Sequence, residues 1–276
     1  MLVHGSGGAV TLAYRVVEPA TSQQPTAPDA IVITRGGRKG IVSTAKLARL
    51  VADKTGCAVL VWDRRLSGSS SAVLPDASVP LPVADMDDLR LLLDALKLQR
   101  VWLLGSSSGA RLSFMFAHAY PQRVAGLIIA PATGGPRALI DVDELYFAGP
   151  KRLCEQGGMR AVAAAADAYG GNGLLDIDAA AFCKLMTTSS QWLAAYRDAK
   201  VVGVTDAQLA GLRGRVPALV AHSGDVADAL HDAATAIGAA AALGCASVAI
   251  CPDLLSTSPA LAELTAAFVG SHRAKL

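Results

Sequence analysis

The sequence lacks the features that would mark several protein classes. It has no C-x-x-C pair, and its cysteines are odd in number and widely spaced: Cys57, Cys154, Cys183, Cys245 and Cys251. That pattern gives neither a disulfide framework nor a zinc site, and fits idle or buried thiols in a reducing cytoplasm. The N-terminus, Met-Leu-Val-His-Gly-Ser-Gly-Gly, has no basic start and no apolar core, so no signal peptide is expected there. The weakly polar stretch from Ala236 to Cys251 is broken by Gly244 and falls short of the ~18 apolar residues that a membrane span needs. Charge of one sign is also scarce, with 25 Lys and Arg against 23 Asp and Glu, a net of +2. Neither nucleic acid nor an anionic membrane is therefore expected as a partner. No internal repeat, charge run or low-complexity tail is present.

What is there is a chain built to fold. Hydrophobic residues make up 52% and charged residues 17% of 276, enough for a full core and too apolar for disorder. Short β-branched runs alternate with amphipathic stretches. Ile31-Val32-Ile33 precedes a helical pattern from Val42 to Lys54. Ala58 to Trp62 precedes one from Met86 to Leu96, and Val101 to Leu104 one from Ala110 to Ala119. Val124 to Ile129, Pro217 to Ala221 and Ser247 to Ile250 are further buried strands, and Pro259 to Ser271 is a last helix. This rhythm predicts an α/β fold with a mostly parallel sheet covered on both faces. Val10 to Val17 reads as part of an opening antiparallel hairpin, and Ala20 to Pro28 as a surface loop. From Pro136 to Leu212 the pattern is helical and alanine-rich, interrupted by Tyr169-Gly170-Gly171-Asn172-Gly173. Residues 1–135 and 213–276 are thus expected to form the core, and 136–212 a helical insertion.

The strongest chemical signal is Gly105-Ser106-Ser107-Ser108-Gly109, between a predicted strand and a predicted helix. A nucleophile on such a sharp turn needs small neighbours two positions away, which Gly105 and Gly109 supply. Ser107 would then project its hydroxyl above the sheet, and the Ser108 N–H at the helix N-terminus would face a developing oxyanion. The plainer alternative is a Gly/Ser-rich connecting turn.

With this motif the chain resembles the α/β-hydrolase superfamily, from Leu12 to Phe268. Thr34-Arg35-Gly36-Gly37 stands where that family has a His-Gly oxyanion motif, which makes Gly37 the candidate donor and leaves Arg35 in the histidine's place. Asp63 to Ser70 is similar to the family's D-x-R-G-x-G-x-S loop. The resemblance implies an eight-stranded sheet and a cap formed by 136–212, and nothing in the sequence points to a metal, nucleotide or flavin cofactor. No dinucleotide fingerprint follows the first parallel strand either. Val3-His4-Gly5-Ser6-Gly7-Gly8 also looks like an oxyanion motif, but it has no strand before it and reads as a hairpin lead-in.

The departure from the family is as informative. Its catalytic histidine follows the last strand, where this chain has Cys251-Pro252-Asp253-Leu254-Leu255-Ser256-Thr257. A serine near the histidine's position, Ser256, cannot act as a base near neutral pH. His222 and His231 are the substitutes with access by chain position. The family's pocket-lining residues favour His231, although a helix-start surface role suits it too. Asp225 and Asp228 compete for the acid, and both could instead cap a helix. Arg35, Arg38 and Lys39 could bind a substrate carboxylate or be ordinary loop charges, while Arg64 and Arg65 look structural. The expected activity is a serine-dependent hydrolase acting on an ester, lactone or carbon–carbon bond of a small organic substrate, carboxylated or not. A cofactor-free lyase or isomerase on the same scaffold, or a non-catalytic binding relative, would equally explain the missing histidine. The expected partner is a small molecule, with a homodimer left open.

Overall fold

A computed structural model describes residues 2–5, 8–20, 30–165, 169–223, 233–245, 247–250 and 259–273. Its strands are β1 (Leu2–Gly5), β2 (Gly8–Thr11), β3 (Tyr14–Val17), β4 (Ala30–Thr34), β5 (Val59–Trp62), β6 (Ser67–Ser71), β7 (Val101–Gly105), β8 (Val124–Ile129), β9 (Gly170–Asn172), β10 (Ala218–Ser223) and β11 (Ser247–Ile250). Its helices are α1 (Ile41–Thr55), α2 (Leu81–Ala95), α3 (Ser108–Ala119), α4 (Pro136–Asp143), α5 (Gly149–Ala164), α6 (Ala179–Ala194), α7 (Asp206–Ala210), α8 (Ala233–Leu243) and α9 (Pro259–Arg273).

The central sheet has the order β11-β10-β8-β7-β4-β5-β3. All its pairs are parallel except β3 with β5. Every residue of β4, β5, β7 and β8 is buried, as expected of strands covered on both faces. Successive side chains feed opposite cores, because the strand period is two. Val32, Leu103 and Leu127 join the layer with α2, α3 and α8. Ile31, Ile33, Trp102, Leu104 and Ile128 join the layer with α1 and α9. Each such aliphatic side chain, fully buried, stabilises the fold by roughly 1.5–3 kcal/mol before chain entropy is counted.

The described sheet has seven strands where eight were expected. The reason lies at the N-terminus. There β1 and β2 pair antiparallel with each other, Leu2 opposite Thr11, in a separate ribbon. Only β3 reaches the sheet edge, against β5.

Between β8 and β10 the chain forms α4 to α7 and the short β9, which pairs parallel with β6 outside the central sheet. The side chains of this stretch build a third core around Phe147, Phe182, Leu185 and Met186, joined by Leu66 and Leu81. The excursion starts and ends at one place: Gly134 and Val201 form an antiparallel bridge, and the Val202 N–H donates to the Thr133 carbonyl at 2.9 Å. Among the described residues no helix is long and apolar enough to cross a membrane.

Chain direction sets the position of the site. From β4 the chain runs outward to β5, whereas β7, β8, β10 and β11 are laid down the other way. The two directions part between β4 and β7, and the loops leaving the carboxyl ends of neighbouring strands there enclose a crevice.

Candidate active site

Strand β7 ends at Gly105 and α3 begins at Ser108, so the turn has only Ser106 and Ser107 to reverse in. Ser107 adopts φ 54° and ψ −121°, a conformation that costs a non-glycine residue about 1–3 kcal/mol. Backbone hydrogen bonds hold it. The Ser107 N–H donates to the Pro131 carbonyl at 2.7 Å, the Ser106 N–H to Thr34 at 3.1 Å, and the Gly109 N–H to Ser106 at 2.8 Å. The requirement for small neighbours is steric. A β-carbon on Gly105 would lie 2.5 Å from the Ser113 hydroxyl oxygen and 2.6 Å from the Gly109 carbonyl oxygen.

The strands flanking β7 bring one loop to each side of this serine. After β4, Gly36 approaches so closely that a β-carbon there would sit 2.4 Å from Ser107 Cβ and 2.9 Å from its Oγ. The Gly36 N–H points to Ser106 Oγ at 3.4 Å. After β8, the Thr133 hydroxyl lies 3.1 Å from Ser107 Oγ, within hydrogen-bond distance. Gly37, the donor suggested by the sequence, has φ 58° and faces the Tyr146 hydroxyl. Gly36 of the Thr34-Arg35-Gly36-Gly37 motif is the glycine whose β-carbon position faces Ser107, and no local sequence pattern points to Thr133. Ser108, as the first residue of α3, carries an N–H with no partner inside the helix. Its buried hydroxyl accepts from both Nη atoms of Arg64 at 3.3 Å.

Behind Ser108 lies a small cavity, with about 10 Å³ open to the centre of a water molecule. Arg38, Arg64, Arg111, Asp85, Tyr146 and Tyr169 are among its walls. Among the described residues Asp85 is the acidic one in this lining, 3.0 Å from Arg38 Nη1 and 3.7 Å from Arg64 Nη1. Arg38 also donates to Ser67 Oγ and the Arg65 carbonyl, and its guanidinium lies 5.3 Å from the centre of the Tyr169 ring. Burial alone would lower its pKa, but Asp85, together with Tyr169 and Asp88, outweighs that and holds it above the usual value. Arg64, which donates to the Arg35 carbonyl at 3.0 Å, is pushed down to about 10 by burial and then by the charge of Arg38. Arg111 is buried, and burial lowers its pKa too; among the described residues its guanidinium has no hydrogen bond or ion pair. Among the described residues the cavity walls thus carry an excess of positive charge, which an anion would offset. Burial also raises the pKa of the Tyr169 phenol, so it faces the cavity uncharged at neutral pH.

The basic residues are distributed differently from the sequence reading. Arg35 turns toward α1 and donates to the Ser43 carbonyl at 3.1 Å. Arg38 and Arg64 line the cavity, as does Arg111, which was not singled out. Arg65 is scaffolding, as read: it holds Asp88 with two contacts of 2.7 and 2.5 Å. The loop that carries these arginines is tied by Asp63, whose carboxylate accepts from the Ile41 N–H at 2.7 Å and the Ser69 N–H at 2.9 Å.

Asp225, Asp228, His231 and Ser256 lie outside the described residues. His222, near the end of β10, is buried and pairs in register with Ala249, and β8 stands between its strand and β7. His118 is in the last turn of α3, and His272 Nδ1 lies 2.9 Å from the Phe268 carbonyl oxygen in α9. Among the described residues no cluster of His, Cys, Asp and Glu could hold a metal ion.

Residues 29–149 match the family model of the alpha/beta hydrolase fold. A 54-residue stretch is 43% identical to a Bacillus subtilis (strain 168) protein that carries the name of a 2-succinyl-6-hydroxy-2,4-cyclohexadiene-1-carboxylate synthase. That match spans 20% of each chain. The structure is similar to the enol-lactonase of Burkholderia xenovorans LB400, with a TM-score of 0.62 at 18% identity, over 98% of this chain and all of that one. It is also similar to the proline iminopeptidase of Mycobacterium smegmatis, with a TM-score of 0.61 at 18% identity, over 100% and 99% of the two chains.

Proposed function

We propose that this chain, a member of the α/β-hydrolase superfamily, is a serine-dependent hydrolase of a small carboxylated substrate, cleaving an ester, lactone or carbon–carbon bond. The observation that carries the proposal is the strained Ser107 turn next to a buried cavity with three arginines and one aspartate. A substrate carboxylate held by Arg111 and Arg64 would fix the molecule by charge-assisted hydrogen bonds, leaving its reactive carbonyl over Ser107.

In this mechanism the Ser107 Oγ attacks the carbonyl carbon and its proton passes to a base. The carbonyl electron pair moves to oxygen, where the Ser108 N–H and the loop of Gly36 and Gly37 meet the charge. His231 is the proposed base, oriented by Asp225 or Asp228. Residues 136–212 are proposed to act as the cap, since Tyr146 and Tyr169 from that stretch wall the cavity. The described cysteines, Cys57, Cys154, Cys183 and Cys245, are free thiols, which suits the cytoplasmic setting included in the proposal.

A second reading is supported by the same cavity. Cofactor-free lyase or isomerase chemistry on a carboxylated substrate would use the arginines to stabilise an enolate, with Ser107 positioning the substrate. The name of the Bacillus subtilis relative, a carboxylate synthase, points the same way. A binding protein without turnover would keep the cavity alone.

Labelling with a fluorophosphonate probe separates these readings. The hydrolase reading expects a single adduct, mapped to Ser107 and absent from Ser107→Ala, with succinate slowing its formation. An intact protein that takes no label at Ser107 but binds succinate favours the second reading. One that neither labels nor binds succinate overturns the carboxylate site as well.

A further inference from the structure

We propose that Thr133 is a positioning residue for Ser107: its hydroxyl donates into the serine oxygen, fixing the lone pair that attacks and leaving the serine proton for the base. The inference rests on the nucleophile reading of Ser107 and adds a residue outside the elbow motif.

Three observations meet at this hydroxyl. Thr133 Oγ1 lies 3.1 Å from Ser107 Oγ, within hydrogen-bond distance. The residue is 4% exposed, so water does not compete strongly for the contact. Its backbone is clamped, since the Val202 N–H donates to its carbonyl at 2.9 Å, and a β-carbon on the next residue, Gly134, would fall 2.0 Å from the Lys200 carbonyl oxygen. A loop so tightly fitted cannot slide. A β-branched side chain on it has few rotamers, so the direction of the hydroxyl is set by the backbone.

The chemical consequence follows from the direction of donation. A serine that donated its proton to a neighbour would have to break that bond before a base could take it. A serine that accepts keeps its proton available, and the bond strengthens as the base draws that proton away and Oγ takes on alkoxide character, before its electrons pass into the new bond. The contact thus favours the transition state over the ground state, which is what raises a rate rather than an affinity.

Fluorophosphonate labelling of the full chain tests this in the wild type, Thr133→Val and Thr133→Ser. The reaction forms the Ser107 Oγ–P bond and expels fluoride, with the serine proton passing to a base or to water. Thr133→Val keeps the shape and removes the donor. It should lower the maximal labelling rate about tenfold, the scale of one hydrogen bond to a charged group, at an unchanged half-saturating probe concentration. Thr133→Ser should recover most of the rate. Melting temperatures report whether each variant is folded, and a folding defect in Thr133→Val leaves the Ser variant to decide. A loss in Thr133→Ser as large as in Thr133→Val, or a loss confined to probe affinity, would assign Thr133 to packing. Faster labelling of Thr133→Val would show that the threonine restrains the serine. If the wild type labels and Thr133→Val matches it, the positioning role fails while the nucleophile stands. A wild type that never labels overturns both.

Discussion

A β-carbon placed on Gly109 would lie 1.8 Å from the carbonyl oxygen of Thr34. The first turn of α3 therefore rests directly on the end of β4, and the strand that carries Ser107 is locked to the strand that leads to Gly36 and Arg38. Gly109→Ala must push the two apart. We expect a loss of at least about 1–3 kcal/mol, the usual cost of overpacking, together with loss of Ser107 labelling. Gly270→Ala is the control: that glycine is in α9 with nothing within 4 Å of an added β-carbon, and alanine there should stabilise by up to about 1 kcal/mol. Thermal denaturation of the two variants checks both signs.

Arg111→Met should separate stability from binding. The arginine is buried without a partner among the described residues, and methionine fills similar space with no charge to desolvate. We expect the melting temperature to rise, by an amount equivalent to about 1–4 kcal/mol. Protection of Ser107 by succinate should weaken at the same time. A variant that melts earlier and binds succinate as before would show that Arg111 serves the fold.

Asp85→Asn should act in the opposite direction. It removes the carboxylate that faces Arg38 and Arg64 while leaving both cations buried. Breaking a buried pair from one side costs about 3–5 kcal/mol, so a marked drop in thermal stability is expected. Added succinate should restore part of it, because a ligand bound to the folded state stabilises that state. No recovery at any succinate concentration would argue against an anion site in this cavity.

The proposed base can be tested without a known substrate. His231→Ala should slow labelling of Ser107 at least ~100-fold, the lower range of what a positioned base supplies. Of Asp225→Asn and Asp228→Asn, the orienting acid should be the one that slows it too. Unchanged labelling in His231→Ala would leave the usual hydrolase mechanism without its base and favour the lyase reading.

The parts of the fold set by local pattern were legible in the sequence. Val101 to Leu104 and Val124 to Ile129 are short, unbroken apolar runs of the kind a doubly covered strand needs, and both lie in the middle of the sheet. The start of α2 was harder to place, since Leu81-Pro82 reads as loop. The helix begins at Leu81 because proline is tolerated in a first turn, where its missing N–H would have no helical partner. Among the described residues the sheet has one strand fewer than expected, because a hairpin that pairs with itself has the same alternation as one that joins a sheet. Ser107 was legible because its demand for small neighbours is met within five residues of chain. Gly36 and Thr133 were not, since they reach the serine from strands on either side of β7 and no local pattern records that adjacency. Arg111 did leave a trace: it stands four residues after Ser107, one helical turn on, a spacing that brings it back to the same side of α3.

The bridge between Gly134 and Val201 has a wider consequence. Because the chain departs and returns at a single doorway, everything between is a side branch of the sheet's path. Such a branch can lengthen, shorten or be exchanged for another without rethreading a strand. Tyr146 and Tyr169 belong to it, whereas Arg38, Arg64, Arg111 and Ser107 do not. On the proposed function, substrate shape could then drift over evolutionary time while the proposed anchoring charge and the proposed nucleophile stay where they are.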